Sequence, residues 1–435
     1  MQSNNVDNKL LDPEFETVPV PKEYRKPLAS VAAVWFGFPM VLTSAVIGGV
    51  ITYMLGFKTG VTAILAGNLL LCLIVGSLSY LAGKTGENFA MTAQRTFGRF
   101  GYIVVSGLLS TVVVGWFALM TGLTGDTMAR SFGAPLLLMT LLGGVLYVAA
   151  TFIGIKALTI LGWIAAPLYL ILGAVSIVLS LKSGNTDIIN YEPAAGAGLM
   201  SFGAAVTLVF ATFADSGTMT ADFTRWAKNG KEGLLAAISA FPFGKFIAEV
   251  IGSIIVATGV IQNPAANGGD FMPILSGQGA LLSALAIIFV FINLGVGCTH
   301  CLYNGAVGFS HMTGKSMRSL TIILGIIGII AAVSGIWNAF QSWLELLGLI
   351  VPPIATIIII DQLILRKNKT NETAKWKPLA FVAWGMAAIV ALLVNFFAPE
   401  LSVVAFGIGS AAIFYYVGSL LGKSSPNEAA KKKAV

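Results

Sequence analysis

From residue 28 onward the chain is a succession of apolar runs, each long enough for the roughly 20 residues that carry a helix across a bilayer. They fall at 28–54, 61–82, 102–124, 134–155, 157–181, 196–226, 233–262, 279–309, 319–337, 340–362, 378–398 and 401–421, with short polar interruptions. In hydrocarbon the backbone must satisfy its own hydrogen bonds, and a continuous apolar run does so as a helix. Composition agrees: 56% of the 435 residues are hydrophobic and only 10% are charged, where soluble domains carry about 25%. With a mean hydropathy of +0.86, no soluble fold hides this surface. The sequence therefore predicts an all-α polytopic membrane protein with twelve transmembrane helices.

The polar interruptions set the orientation, because inner-face loops collect lysine and arginine. Lys22, Arg25 and Lys26 precede the first run, and Lys84, Arg95 and Arg99 follow the second. Lys156, then Arg225, Lys228 and Lys231, then Lys315 and Arg318 follow the fourth, sixth and eighth. Arg366, Lys367, Lys369, Lys375 and Lys377 follow the tenth, and Lys423 with Lys431 to Lys433 close the chain. The opposite side holds only Lys58, Arg130 and Lys182. Both termini are expected in the cytoplasm, with the chain multi-pass in the plasma (cell inner) membrane. Residues 1–27 and 422–435 read as cytoplasmic tails, the first 20 residues as disordered. The net charge of +7 lies in loops and tails, and no basic helix or RNA motif accompanies it, so no nucleic acid is expected. Nor is any protein partner evident. Cys72, Cys298 and Cys301 all lie in apolar runs, which gives no disulfide framework.

Two runs are interrupted from within. The sixth turns small and polar at Asp215-Ser216-Gly217, which a span tolerates only where broken backbone faces protein or a cavity. Gly217 offers backbone freedom, and Ser216 or Asp215 a cap for a helix restarting at Thr218, whose free N–H groups would meet a ligand. A kinked structural helix in which Asp215 caps its own inner half is the alternative. The first run holds Gly37-Phe38-Pro39 near its middle, where Pro39 removes a donor and clashes with the preceding turn. Broken first and sixth spans are what two five-helix repeats of opposite topology give, and so is a chance pair of kinks.

Other polar or aromatic residues lie deep in the runs. Trp116, beside Gly115, lies about 15 residues into the third run, roughly 20 Å deep at 1.5 Å per residue. That is below the interfacial belt; stacking on a planar ligand and core packing both remain open. Cys298-x-x-Cys301 with His300 between them mimics metal spacing, but four convergent ligands are not to be found, and no metal is expected. His300 remains a candidate proton relay, since an ionisable residue within a span is a functional candidate. Lys245 and Glu249 lie one turn apart on one helix face, placed to neutralise each other. Glu345 sits near an outer helix end, and Pro352-Pro353 marks a kink. No nucleophile triad, paired carboxylates or phosphate loop is present, so an enzyme is not expected.

Several stretches together resemble the cytosine/purine permeases of the nucleobase–cation symporter-1 family, over nearly the whole chain. They are Val18-Pro-Val-Pro21, Gly67-Asn-Leu-Leu-Leu71, Ala82-Gly-Lys-Thr-Gly86, Gly115-Trp-Phe117, Ser216-Gly-Thr-Met-Thr-Ala-Asp-Phe223, and Leu302-Tyr303 with Gly308-Phe309. The resemblance implies a leucine-transporter-like fold with inverted repeats of five plus five helices, here 28–181 and 182–362, and two extra helices in 363–421. It implies a secondary active importer of a nucleobase or similar nitrogen heterocycle working by alternating access. No cofactor is implied beyond a co-transported H+ or Na+. In the family the substrate ring stacks between a tryptophan of helix three and an aromatic of helix six, matching Trp116 and Phe213. Thr212, Asp215, Ser216 and Gly217 line the helix-six break, and Val113 stands where the cytosine permeases carry glutamine. Asp215 stands where they carry serine. Their sodium site uses carbonyls of helix one, near Gly37 and Met40, and helix eight after an asparagine matching Asn293. Their two hydroxyl residues there are Val296 and Gly297 here, which removes two oxygen ligands. A proton, with Asp215 or His300 carrying it, is the expected replacement, and a different aminopyrimidine, hydantoin-like or cationic substrate is the alternative to cytosine.

Overall fold

The computed structural model describes residues 11–193, 200–336, 340–365 and 374–423. Arg366, Lys367, Lys369, Lys431 to Lys433 and the start of the run expected from 196 lie outside the described residues. The first run forms two helices, α1 (Leu28–Gly37) and α2 (Leu42–Leu55), bent by 54° across Phe38 to Val41. Pro39 at this break cannot donate an N–H, and the Ser44 hydroxyl bonds its carbonyl at 2.8 Å. Then come α3 (Phe57–Thr85), the short α4 (Phe89–Phe97) started by the Asn88 side chain, α5 (Gly101–Phe132), α6 (Leu136–Ile153) and α7 (Ile155–Ser183).

The sixth run is divided into α8 (Phe202–Ala211), α9 (Ala214–Thr218) and α10 (Ala221–Thr224). The seventh passes from α11 (Gly230–Ile238) through a π-helical turn at Ser239–Lys245 into α12 (Phe246–Ala257). That turn contains Pro242, whose missing N–H the wider i→i+5 winding accommodates. Two short loop helices, α13 (Pro264–Asn267) and α14 (Met272–Ser276), lead to α15 (Ala280–Thr313) and α16 (Met317–Val333). The chain closes with α17 (Phe340–Ile359) and a second π turn at Ile360–Leu365, then α18 (Pro378–Phe397) and α19 (Val403–Lys423).

Nine helices among the described residues are long and apolar enough to cross a membrane, ten when α1 and α2 count as one broken span. The described residues therefore form a polytopic, all-helical membrane protein. α6 and α18 turn large apolar side chains outward, including Leu137, Leu138, Val145, Ile389 and Phe397, as lipid-facing helices do. Inside, helices approach through small residues, since lipid offers no hydrophobic drive for association. At α2 against α12, a Cβ on Gly252 would lie 2.0 Å from the Ala45 carbonyl, and one on Gly48 2.0 Å from that of Glu249.

The N-terminal segment departs from the disordered tail expected of it. From residue 11 it is strapped across one end of the bundle. Val20 N–H bonds Gly86 O at 2.8 Å and Lys26 N–H bonds Trp226 O at 2.7 Å. Asn88 donates to Glu16 O, and Arg318 to Asp12 O, both at 2.7 Å. Glu14 is buried, accepting from Tyr303 Oη at 2.7 Å and from Ile155 N–H at 3.0 Å. A polar composition hid this docking because every partner lies far away in sequence.

Candidate functional site

Both broken helices cross the interior, and α15 runs beside them. The sixth run breaks at Thr212–Phe213 and again at Met219–Thr220, not at Asp215–Gly217. Phe213 leaves helical geometry at φ −134°, ψ 16°. The Thr212 hydroxyl turns back to Val209 O at 2.8 Å and finishes α8. Helix restarts at Ala214 rather than Thr218 because Phe213 O already accepts Gly217 N–H at 2.8 Å. Gly217 sits in ordinary helical backbone; its missing side chain instead lets α3 come close, a Cβ there lying 2.8 Å from Val75 Cγ2.

Asp215 is buried in this short segment. Its Oδ1 accepts the Ser216 N–H at 2.7 Å, and the Trp116 side chain of α5 bears on the same carboxylate. The Ser216 hydroxyl reaches Cys301 Sγ on α15 at 3.8 Å. Trp116, Asp215 and Ser216 therefore converge. Val113, one turn before Trp116, is buried against α15, where a Cβ on Gly305 would lie 3.6 Å from its Cγ2. Phe213 faces a different cluster, edge-on to Phe38 at 5.0 Å and to Phe241 at 5.7 Å, with Lys245 Nζ 5.9 Å above its ring. No contact between the Trp116 and Phe213 rings is found among the described residues.

The coupling candidates meet at the break of the first helix. Asn293 of α15 donates its Nδ2 to Met40 O at 2.6 Å and accepts Leu42 N–H on Oδ1 at 2.8 Å. One side chain thus satisfies a carbonyl and an amide that the α1–α2 bend leaves open. Gly37, at the end of α1, packs on α7, a Cβ there lying 2.7 Å from Gly162 Cα. His300 lies one side of this break, its Nδ1 2.7 Å from Val296 O and its Nε2 3.0 Å from Val34 O. Val296 and Gly297 present no side-chain oxygen; a Cβ on Gly297 would lie 2.3 Å from Met120 Sδ.

Cys298 and Cys301 are buried and free, and no group of three or more metal-ligating residues occurs among the described residues. Cys298 Sγ lies 3.5 Å from Thr121 Oγ1 instead. Lys245 and Glu249 do form a fully buried ion pair, and Asn68 of α3 donates to Glu249 Oε2 at 2.6 Å.

Other residues of the site were not legible in the sequence. Trp343 of α17 lays its ring over Gly115, so closely that a Cβ there would sit 2.5 Å from Trp343 Cζ2. Its indole nitrogen is buried with no hydrogen-bond partner among the described residues. Trp35 of α1 donates to Thr220 Oγ1 at 3.0 Å, and Ser79 of α3 shares that hydroxyl at 2.7 Å. Asp222 caps α4 by accepting Phe89 N–H at 2.9 Å and holds Asn304 of α15 at 2.8 Å. The glycine at 115 and the acid at 222 were visible signals; the helices they touch were not.

Comparison with known proteins places this architecture. The family model described as permease for cytosine/purines, uracil, thiamine, allantoin matches residues 19–418. The cytosine permease of Escherichia coli (strain K12) is 31% identical over 384 residues, covering 87% of this chain and 89% of that protein. The hydantoin permease of Microbacterium maritypicum is 23% identical over 407 residues, or 86% of this chain and 81% of that one. Among solved structures, Mhp1, a nucleobase-cation-symport-1 family transporter in a closed conformation with bromovinylhydantoin bound, superposes with a TM-score of 0.77. It is 19% identical, and the match covers 93% of this chain and 94% of Mhp1. A Na+-coupled sialic acid symporter in its substrate-bound outward-open state gives a TM-score of 0.70 at 12% identity, covering 95% of this chain and 93% of that one.

Proposed function

The chain belongs to the family of permeases for cytosine/purines, uracil, thiamine and allantoin, and from that premise we propose that it imports cytosine or a closely related nitrogen heterocycle. Import is driven by a cation gradient and proceeds by alternating access. One observation carries the reading: a tryptophan and a carboxylate converge at the break of a helix in the bundle interior. Trp116 supplies a flat apolar face, and Asp215 with Ser216 supplies an acceptor and a hydroxyl for the edge of an amino-substituted ring. Thr212 and Phe213 form that break, Gly217 lies in the short helix after it against α3, and Val113 stands one turn before Trp116. Trp343, its ring against Gly115, extends the aromatic wall.

The architecture of this reading is twelve spans. The broken first and sixth helices occupy equivalent places in two inverted five-helix repeats, residues 28–181 and 182–362, with two further helices in 363–421. Both termini lie in the cytoplasm of a cell whose plasma membrane holds the protein, in keeping with the lysine and arginine distribution. The coupling ion is a proton. Val296 and Gly297 offer no side-chain oxygen, and sodium, a hard cation, wants oxygen ligands. Asp215, beside the break of the sixth helix, and His300, beside that of the first, are titratable groups placed to carry the proton.

A second reading has a specific observation behind it. A buried carboxylate at residue 215 also suits a substrate carrying a positive charge or a second amino group, such as another aminopyrimidine. Uptake of labelled cytosine, uracil, hydantoin and a cationic aminopyrimidine by cells expressing the chain, with and without sodium and a pH gradient, separates these. Cytosine uptake that follows the proton gradient and ignores sodium is the expected result. Strict sodium dependence would overturn the coupling, and uptake of the cationic compound alone would overturn the substrate.

A further inference from the structure

Each broken helix ends its first half with carbonyls that have no partner within the helix. In both, a basic side chain from another helix covers one of them. Val209 O, at the end of α8, accepts from Lys245 Nζ at 3.1 Å. Val34 O, at the end of α1, lies 3.0 Å from His300 Nε2. The two caps differ in one respect. Lys245 is neutralised by its ion pair with Glu249, whereas no salt bridge to His300 occurs among the described residues.

The other ring nitrogen of His300 faces Val296 O at 2.7 Å. Both nitrogens therefore face carbonyl oxygens, which only accept. A neutral imidazole carries a single N–H, so one of these contacts would set a nitrogen lone pair against a carbonyl lone pair. The imidazolium donates to both. Burial alone disfavours that cation. Three features offset the cost: the two carbonyls, the negative end of the α1 dipole, and the Phe38 ring stacked at 4.4 Å with an interplanar angle of 23°.

We propose that His300 is the seat of the co-transported proton, binding it as an imidazolium that clamps α1 to α15. The inference rests on the proton-coupled reading above. α15 grips the first helix on both sides of its break: Asn293 holds Met40 and Leu42, and His300 holds Val34. The asparagine contact does not titrate. Protonation forms one N–H bond on the second ring nitrogen, with no electron transfer, and completes the clamp on α1. The proton that leaves is the one on Nε2: the neutral ring keeps its N–H on Nδ1 toward Val296 O, Val34 O loses this donor, and that half-helix is free to move while Asn293 keeps the other in place.

The surrounding groups leave the ring as the titrating element. α1 brings Val34 and Phe38, neither titratable, and α10 brings Phe223, 5.2 Å away. Asp222 is engaged by Phe89 N–H and Asn304, and Arg225 by the carbonyls of Glu14 and Phe15. On α9, Asp215 is held by Ser216 N–H. On neighbouring turns of α15, Cys298 and Cys301 lie against Thr121 and Ser216, and Tyr303 against Glu14. Tyr147 of α6 and Tyr169 of α7 bond Thr124 and Ala248 O.

The chain has two histidines, and His311, half-buried and edge-on to Tyr102, is remote from the α1 break. The full chain carrying His311→Gln, labelled with 15N-histidine and reconstituted in liposomes, reports His300 alone by solid-state NMR. Two protonated ring nitrogens that become one within roughly pH 5 to 9 are expected. A single neutral tautomer throughout that range would overturn the proposal. A transport arm uses radiolabelled cytosine in proteoliposomes. His300→Gln is expected to lose accumulation driven by a pH gradient, the ratio of internal to external cytosine falling to about one, while cytosine exchange persists. Wild-type uptake that follows pH together with an unchanged pH response in His300→Gln would overturn the role of His300 and leave proton coupling standing. Wild-type uptake that requires sodium and ignores pH would overturn the coupling reading itself, and this inference with it. If cytosine is not carried at all, the substrate reading fails and the NMR result decides the proton site.

Discussion

Lys245 and Glu249 offer a test whose size follows from the structure. Both side chains are fully buried, and each has one further partner: Lys245 Nζ donates to Val209 O, and Glu249 Oε2 accepts from Asn68. Glu249→Gln strands an ammonium in the bundle, and Lys245→Met strands a carboxylate. Breaking a buried pair from one side costs about 3–5 kcal/mol. Removing both, as Lys245→Met with Glu249→Leu, strands no charge. The groups left behind also keep bonds of their own. Val209 O retains the Thr212 hydroxyl at 2.8 Å, and Asn68 Nδ2 retains Ile64 O at 2.9 Å. The double variant should therefore lose no more than about 1–2 kcal/mol, of the order of one weakened hydrogen-bond network. Apparent melting of the purified protein in detergent, followed by tryptophan fluorescence, gives the comparison. Each single variant should melt well below the wild type and the double variant above both singles. A double variant as unstable as the two singles added together would refute the coupling.

Other expectations follow from the same contacts. Trp116→Ala should weaken cytosine binding roughly ten- to a hundredfold, since stacking on an aromatic face is worth about 1–3 kcal/mol; unchanged binding would mean the pocket lies elsewhere. At the N-terminal strap, burial raises the Glu14 carboxyl above its ordinary value, against the lowering contributions of Tyr303 and Arg225. A raised value in the docked state means docking is strongest below the free carboxyl's usual value of about 4.3 and weakens as pH rises through the docked value. Cleavage of the strap by added protease should accordingly speed up with pH in the wild type and lose that dependence in Glu14→Gln; faster cleavage at lower pH would reverse the sign and refute the argument. For topology, Ala266→Cys and Lys182→Cys, both at exposed positions, should react with impermeant thiol reagents from outside intact cells. Gly184 is unsuited to the same test, because a Cβ there would lie 2.4 Å from Thr258 O. Labelling only after lysis would invert the orientation.

The class of this protein was legible in the chain because its solvent imposes a one-dimensional rule. A bilayer demands apolar runs of a set length, so helix positions and the odd polar break can be read without knowing any contact. The two broken helices were visible for that reason, through Pro39 and the small polar residues after Phe213. The pairing of Lys245 with Glu249 was equally local, four residues apart on one helix. Where helix six breaks was not settled by its small residues. Thr212 ends α8 and Phe213 carries the bend, while Gly217 is helical and spends its missing side chain on the approach of α3. A glycine signals that freedom or closeness is allowed at a position, and only the neighbour decides which is used. Asn293 bridging Met40 and Leu42, Trp343 over Gly115, and Glu14 buried under Tyr303 join residues separated by hundreds of positions. Such pairings depend on which helix faces which, a property of the packed bundle and not of any local stretch. The same holds for His300: the sequence placed an ionisable ring within a span, its own helix sets Val296 O against one nitrogen, and only the tertiary structure set Val34 O against the other.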